Sequence, residues 1–505
     1  MAGIRRALVW STTEKYFTLV VNFLAIAVIS RLLRPEEIGV SAVGTAIIGF
    51  ALAVRELVSS GYLIQQANLT RESVRTLFTL LFGFSLIVAA ILIQGAPLAA
   101  SFFGAADLAF YLQLLAVALV IEAFFLPITA LLRREMAFGT LAAINISVAA
   151  VCAPLSIVLA ALGFSYLSLA WAWLCTSALT AVAALFARPM FWIYRPSLKS
   201  WRSVLAFGSF GGTNTLLLWM YETLPQLVLG RVLPLDDVGR YSRAMLICSI
   251  PDKVVLTGVS SVATPALAAQ VRDGRCIQQA YLRSLGLITV VHWPALVTLV
   301  VLAKPAVELA LGEQWLGIVL VVQLLAGASL FRFPSILSSS VLIAVGAIHH
   351  TLRASIVTLP LSALLLCLAS PFGIQAMAAT QLLAVPFQSF VVLQLVRRHL
   401  PFEWREFVAA LRPSAVVAGF TAAGAVAANL MSGVASDLSI PEAVVSVLMA
   451  AMGWGVGILV SNHPARDEFQ HVVAAADVVI SRWVGRPVFH SGGRPEGVGE
   501  VDAKS

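Results

Sequence analysis

The chain has 505 residues, 60% of them hydrophobic and only 11% charged, with a formal net charge of +8. A soluble chain carries about 25% charged residues, so a soluble globular body of this size is excluded. The basic excess is therefore read by its position along the chain rather than as a nucleic-acid footprint.

Apolar runs of about 20 residues recur from end to end, each long enough to cross ~30 Å of hydrocarbon as a helix. The period-2 alternation of a membrane β-barrel is absent. The first run is too long for a signal-peptide core and has no small-residue cleavage site, so it reads as a retained span. Fourteen candidate spans follow one another at 7–30, 38–60, 76–95, 108–131, 138–162, 163–187, 203–229, 243–267, 284–303, 316–345, 354–370, 372–396, 413–432 and 440–461. The expected fold is an all-α polytopic membrane protein of about 14 transmembrane helices. The tenth span is long and contains Pro334, which predicts a kink or tilt.

One stretch recurs. Arg31–Gly39 (Arg-Leu-Leu-Arg-Pro-Glu-Glu-Ile-Gly) returns 200 residues later as Arg231–Gly239 (Arg-Val-Leu-Pro-Leu-Asp-Asp-Val-Gly). Without a gap, Arg31 falls on Arg231, Leu33 on Leu233, Glu37 on Asp237 and Gly39 on Gly239. Each copy lies between two long apolar segments and reads as the turn of a helical hairpin, with glycine in the bend. Spans 1 and 7 are an even number apart and cross in the same direction. The two halves are therefore expected to be parallel repeats about an axis along the membrane normal. The organisation that follows is a first lobe at 1–189, a connector at 190–202, a second lobe at 203–400, two extra spans within 401–461, and a tail at 462–505.

Loop charge alternates. With Met1 taken as cytoplasmic, inner loops hold 18 basic residues, among them Arg71, Arg133, Arg134, Arg188, Arg195, Lys199 and Arg397. Outer loops hold six: Arg31, Arg34, Arg231, Arg240, Arg243 and Lys304. This bias predicts both termini in the cytoplasm and an even number of spans. The connector mixes Phe191, Trp192, Tyr194 and Trp201 with four basic residues, a composition suited to the surface of the inner leaflet. In the tail, Asp467–Val484 could form an amphipathic surface helix, and the remainder has the composition of a disordered segment.

Ionisable residues inside spans are costly, so they are expected to face one another or water rather than lipid. They occur in six spans. Span 1 has Glu14 and Lys15, and span 7 has Glu222. Span 2 has Arg55 and Glu56, and span 8 has Asp252 and Lys253. Span 4 has Glu122, and span 10 has Arg332. Adding six to 1, 2 and 4 gives 7, 8 and 10, so the halves agree in where they place charge. Glu14, Thr18 and Asn22 share one helical face, as do Asn214 and Glu222. In the gap-free alignment Asn214 occupies the place of Glu14, and Glu222 that of Asn22. The expectation is a central polar cavity lined by spans 1, 2, 7 and 8, with 4 and 10 beside them. The competing reading is a set of static interhelical pairs, such as Glu122 against a neighbouring arginine. Arg55 and Glu56 lie close enough to a span end to snorkel instead.

The five cysteines are scattered, and neither they nor the histidines have metal-ligand spacing. No phosphate-binding glycine loop or Ser/His/Asp arrangement stands out, so neither a cofactor nor a metal is expected.

Three stretches carry a resemblance: Ser30–Gly39, Leu132–Phe138 (Leu-Arg-Arg-Glu-Met-Ala-Phe) and Gly230–Ala244. They resemble the polysaccharide-transporter branch of the multidrug/oligosaccharidyl-lipid/polysaccharide flippases, in particular the Wzx-type exporters, over about residues 7–460. The resemblance implies two six-helix lobes around a cavity open to one side at a time, and a bacterial inner-membrane location. It implies a lipid-linked oligosaccharide on a polyprenyl diphosphate as cargo, and membrane lipids, a polysaccharide polymerase and export machinery as partners. Lys15, Lys253 and Arg332 would then meet the diphosphate. Glu14, Glu222 and Asp252 would exchange a proton or Na⁺. A drug/cation antiporter of the same superfamily is the nearest alternative. A membrane polymerase or ligase is another, disfavoured by outer loops of only about 12 to 15 residues, too short for a catalytic domain.

Overall fold

The computed structural model describes residues 2–66, 68–272, 277–345, 347, 349–431, 440–461 and 463–466. The side chain of Asn214 and the stretch Asp467–Val484 lie outside the described residues.

Every expected span falls on a helix. The first half holds α1 (Ala2–Leu32), α2 (Pro35–Arg55), the short α3 (Gly61–Gln65), α4 (Arg71–Phe103), α5 (Leu108–Arg134), α6 (Phe138–Leu159) and α7 (Leu167–Ala187). The second holds α8 (Trp201–Val232), α9 (Leu235–Arg272), α10 (Ile277–Val301), the short α11 (Ala303–Leu311), α12 (Val319–Ser329), α13 (Phe333–Ala344), α14 (His349–Ala369) and α15 (Ile374–Arg397). Then come α16 (Trp404–Met431) and α17 (Ile440–Val460). Among the described residues, eleven helices are long and apolar enough to cross a membrane unaided. The spans outside that set are α8, α9 and the α12–α13 pair, which carry Glu222, Asp252, Lys253 and Arg332. Large apolar side chains such as Leu98, Phe186 and Leu430 are left exposed on the outside of the bundle, as lipid contact allows.

The tenth span is broken rather than bent. Pro334 has no N–H and its ring crowds the carbonyl four residues back, at Leu330. The helix therefore stops at Ser329 and restarts at Phe333. The freed carbonyls find other donors: Trp293 Nε1 donates to Leu330 at 2.8 Å, and Ser389 Oγ to Phe331. A backbone break at membrane depth is tolerated only with such replacements. In the first half the counterpart α5 runs unbroken.

The two repeated hairpins meet each other. In the first, Pro35 starts α2 with its fixed φ, and Glu37 caps the backbone N–H of Arg34 at 2.6 Å. The acids of this first turn sit against the positive end of the helix dipole. Gly39 and Gly239 are not in the bends, as the sequence suggested. They lie inside α2 and α9, and neither has positive φ. Their role is close approach. A Cβ on Gly39 would lie 1.9 Å from the Leu235 carbonyl oxygen, and one on Gly239 would lie 1.9 Å from that of Pro35. Residues 35 and 235 are themselves repeat partners, so the contact is reciprocal about a pseudo-two-fold axis.

The flanking arginines extend this clasp. Arg31 donates to the Leu309 carbonyl at 2.6 Å, and its repeat partner Arg231 sits 5.1 Å over the ring of Phe102. Each thus crosses to the other half. Gln314 and the fully buried Trp315 both donate to the Ser30 carbonyl, at 2.6 and 2.8 Å. Arg243, counted above with the loop bases, is 7% exposed between the halves, and its Nε has no hydrogen-bond partner. Its approach was not visible in the sequence because the helix begins at Leu235, well before the apolar run.

At the opposite end the connector is tied to the first half. Arg75 Nε donates to the Arg195 carbonyl at 2.9 Å, Lys199 pairs with Glu72 at 2.6 Å, and Tyr194 Oη donates to the Phe124 carbonyl at 3.1 Å. Ile193 is fully buried, so the connector inserts part of its apolar face into protein rather than only resting on lipid. Leu132–Phe138 is structural here. Arg134 donates to the carbonyls of Leu63 and Gln66, and Glu135 pairs with Arg188.

The last two helices pack on each other through small residues. Gly453 and Gly457 bring α17 against the backbone of Phe420 and Val417 on α16, the small-xxx-small packing that replaces a hydrophobic driving force in lipid. Beyond α17, His463 is buried. Its Nδ1 accepts from the Ala465 N–H at 3.0 Å, and its Nε2 meets Ser414 Oγ at 3.0 Å. An N–H can only donate, so this geometry suits neutral imidazole, and burial lowers its pKa from the ordinary value. The unfolded chain, titrating near 6.5, then binds more protons than the folded one below that pH. The anchor is at full strength above about pH 6.5 and weakens as pH falls toward the lower folded value. Limited proteolysis at the α17 end is expected to accelerate between pH 7.5 and 5.5, and His463→Gln to remove that pH dependence. An equal acceleration in the variant would refute the assignment.

Candidate functional site

Among the described residues the intramembrane charges make three sets of contacts. On α1, Glu14 is half-buried and accepts from Asn145 Nδ2 on α6 at 2.9 Å. Lys15 and Asn22 are exposed. Tyr16, next to Lys15, donates to the Val254 carbonyl at 3.2 Å, next to Lys253. This contact joins α1 to α9 across the halves. Lys253 and Glu222 are exposed.

The second group lies inside the first half. Arg55, at the end of α2, turns inward instead of snorkelling and pairs with Glu122 on α5 at 2.8 Å, with side chains only 9% and 14% exposed. The other Glu122 oxygen accepts from Trp173 Nε1 at 3.1 Å. Both carboxylate oxygens are thus used, and the pair is closed. Glu56 is occupied locally by Ser59.

The third group lies inside the second half, at the break between α12 and α13. Asp252 on α9 is 14% exposed. One oxygen lies 2.7 Å from Nε2 of His292 on α10, and the other 3.4 Å from an Arg332 nitrogen. The Arg332 side chain is 51% exposed, and its charge also reaches Glu222 on α8. Arg332 projects here because Pro334 ends the helix beside it. His292 escaped the sequence reading, since a single histidine in an apolar run carries no spacing signal.

The two groups correspond. Each half holds an ion pair between its second and fourth spans, Arg55 with Glu122 and Asp252 with Arg332, and the polarity is reversed. The first is short, dry and capped by an indole N–H. The second is long, half-open and shares its acid with an imidazole. Breaking a buried pair of the first kind strands a charge and is costly. In the second, the guanidinium is already half-exposed and can leave at little cost to itself, while Asp252, 14% exposed, keeps only the imidazole beside it.

The described residues thus form a polytopic helical bundle with a half-exposed charge at a broken helix of its second half. Residues 28–320, more than half of the chain, match the model of the family described as polysaccharide biosynthesis protein, and the chain belongs to that family. It is 30% identical over 317 residues to the succinoglycan biosynthesis transport protein ExoT of Rhizobium meliloti (strain 1021), covering 62% of this chain and 63% of that one. It is 25% identical over 330 residues to the lipopolysaccharide biosynthesis protein WzxC of Escherichia coli (strain K12), covering 64% and 66%. The matches thus span just under two thirds of those relatives' lengths. In fold it is similar to the lipid II flippase MurJ in an inward closed conformation, with a TM-score of 0.73 at 12% identity over 91% of this chain and all of that one.

Proposed function

We propose that the chain moves a polyprenyl-diphosphate-linked oligosaccharide from the inner to the outer leaflet of a bacterial inner membrane, for exopolysaccharide or lipopolysaccharide assembly. The observation that supports this most is the half-exposed Arg332 at the helix break, released to a cargo by the length of its bond to Asp252. Its guanidinium suits a diphosphate, which it can grip bidentately. Exposed Lys15 and Lys253 flank the contact between the halves and add positive charge. Family membership and the fold shared with a lipid flippase support the same reading.

In this reading both termini are cytoplasmic, so the hairpin clasp is the outer gate and the connector lies at the inner end. The first lobe (1–189) is braced by Arg55 and Glu122, while the second (203–400) carries the responsive charge. A polymerase and export machinery would receive the cargo outside.

Deleting the gene is expected to make a lipid-linked sugar intermediate accumulate on the inner leaflet. Complementing with Lys15→Ala, Asp252→Ala, Lys253→Ala and Arg332→Ala at matched protein level checks the site. Arg332→Ala is expected to reduce export at least tenfold. Unchanged export in all four would remove the cavity reading, and normal leaflet distribution in the deletion strain would remove the flippase reading.

A further inference from the structure

The proposed cargo site leaves one group unused. His292 is completely buried on α10, its Nε2 lies 2.7 Å from Asp252, and its Nδ1 is buried with no hydrogen-bond partner. A histidine kept only for structure normally satisfies both ring nitrogens. The Arg55–Glu122 pair shows the contrast, with both oxygens of Glu122 engaged. At His292 a proton can come and go on the free nitrogen without breaking any other hydrogen bond.

The surroundings are charged on several sides. Arg332 approaches Asp252 from the α12–α13 break and its charge reaches Glu222 on α8, Cys248 lies one turn before Asp252 on α9, and Lys253 follows it. The acid thus has two partners, one fixed (the imidazole) and one able to leave (the guanidinium). We infer that Asp252 and His292 form a proton-binding site and that Arg332 competes with that proton for the carboxylate. This rests on the cargo reading above and names its coupling ion.

The exchange balances in charge. When Arg332 turns to an anion, Asp252 loses a cation, and a hydronium ion from the open side gives up its proton to the pair. The new N–H or O–H bond forms as water is released. When Arg332 returns, the proton leaves to water. A metal cation fits poorly, since hard cations want several oxygen ligands. Here one carboxylate is flanked by imidazole and guanidinium. Among the described residues no group of three His, Cys, Asp or Glu side chains could hold a metal ion.

The test needs no cargo. Full-length protein is reconstituted in liposomes on a solid-supported membrane, and charge displacement is recorded after rapid solution exchange. A pH jump from 8 to 6 at constant Na⁺ is expected to give a transient current, and a Na⁺ jump at constant pH none. Asp252→Asn and His292→Gln are each expected to shrink the pH transient at least fivefold, while the conservative Asp252→Glu and the remote Gly455→Ala keep it. Absence of a pH transient in the unmodified protein, or a Na⁺ transient in its place, overturns the proposal even where a variant fails to fold. So do unchanged transients in both Asp252→Asn and His292→Gln. The arms separate the two claims: a pH transient with normal cargo distribution in the deletion strain sinks the cargo reading alone, and accumulated cargo with no pH transient sinks this one alone.

Discussion

Alanine at Gly39 or Gly239 is expected to hold the two hairpins apart and to lower export at least tenfold without lowering protein level. At either position the added Cβ would sit 1.9 Å from a backbone oxygen of the facing helix, where carbon needs about 3.5 Å. Backbone cannot rotate out of the way as a side chain can, so the helices must separate. That separation strains the Arg31–Leu309, Gln314–Ser30 and Trp315–Ser30 bonds, all 2.8 Å or shorter. Because the contact is reciprocal, the two substitutions should behave alike. Spin labels at the exposed, repeat-related positions Leu32 and Val232 would read the gap directly. An increase of several ångströms in both variants is expected. Gly455→Ala, whose Cβ would meet nothing within 4 Å, serves as the unaffected control. An unchanged label distance together with unchanged export in Gly39→Ala would dismiss the clasp as a gate.

The two ion pairs should separate stability from transport. Glu122→Ala strands the Arg55 guanidinium and the Trp173 N–H in a dry interior. Removing one partner of a buried pair costs about 3–5 kcal/mol. The purified variant is therefore expected to denature at a clearly lower temperature. Arg55→Leu with Glu122→Leu and Trp173→Phe should recover most of that loss, since no charge or donor is left unpaired. Arg332→Ala removes a half-exposed cation at 3.4 Å. Its stability cost should stay under about 1 kcal/mol, although it is expected to abolish most export. Thermal denaturation and export assays on the same variants check both arms. If Arg332→Ala destabilised as much as Glu122→Ala, the second pair would be structural like the first.

The order of helices was legible in the sequence because hydrocarbon imposes a length on every apolar run. Eleven helices, from Trp10–Leu32 to Pro441–Val460, can be read that way among the described residues. The repeat was legible because Arg31–Gly39 kept its residue types at a spacing of 200. The charged spans were legible because ionised side chains in lipid are rare. Their partners were not. Helical periodicity says which residues share a face, but the neighbour facing it comes from far along the chain. Arg55 meets Glu122 across 67 residues, and Asp252 meets Arg332 across 80.

What the sequence alone determined is therefore an all-helical polytopic membrane protein, eleven of whose described helices are long and apolar enough to cross a membrane unaided. Only the tertiary structure decided that Gly39 and Gly239 are contact points rather than bends. It also decided that span 10 breaks at Arg332, and that the same pair of spans carries a closed ion pair in one half and an open one, with His292 attached, in the other. The reason is physical. Cost in lipid depends on a residue's own chemistry and is written locally, whereas close approach and charge pairing depend on which backbones the packing brings together.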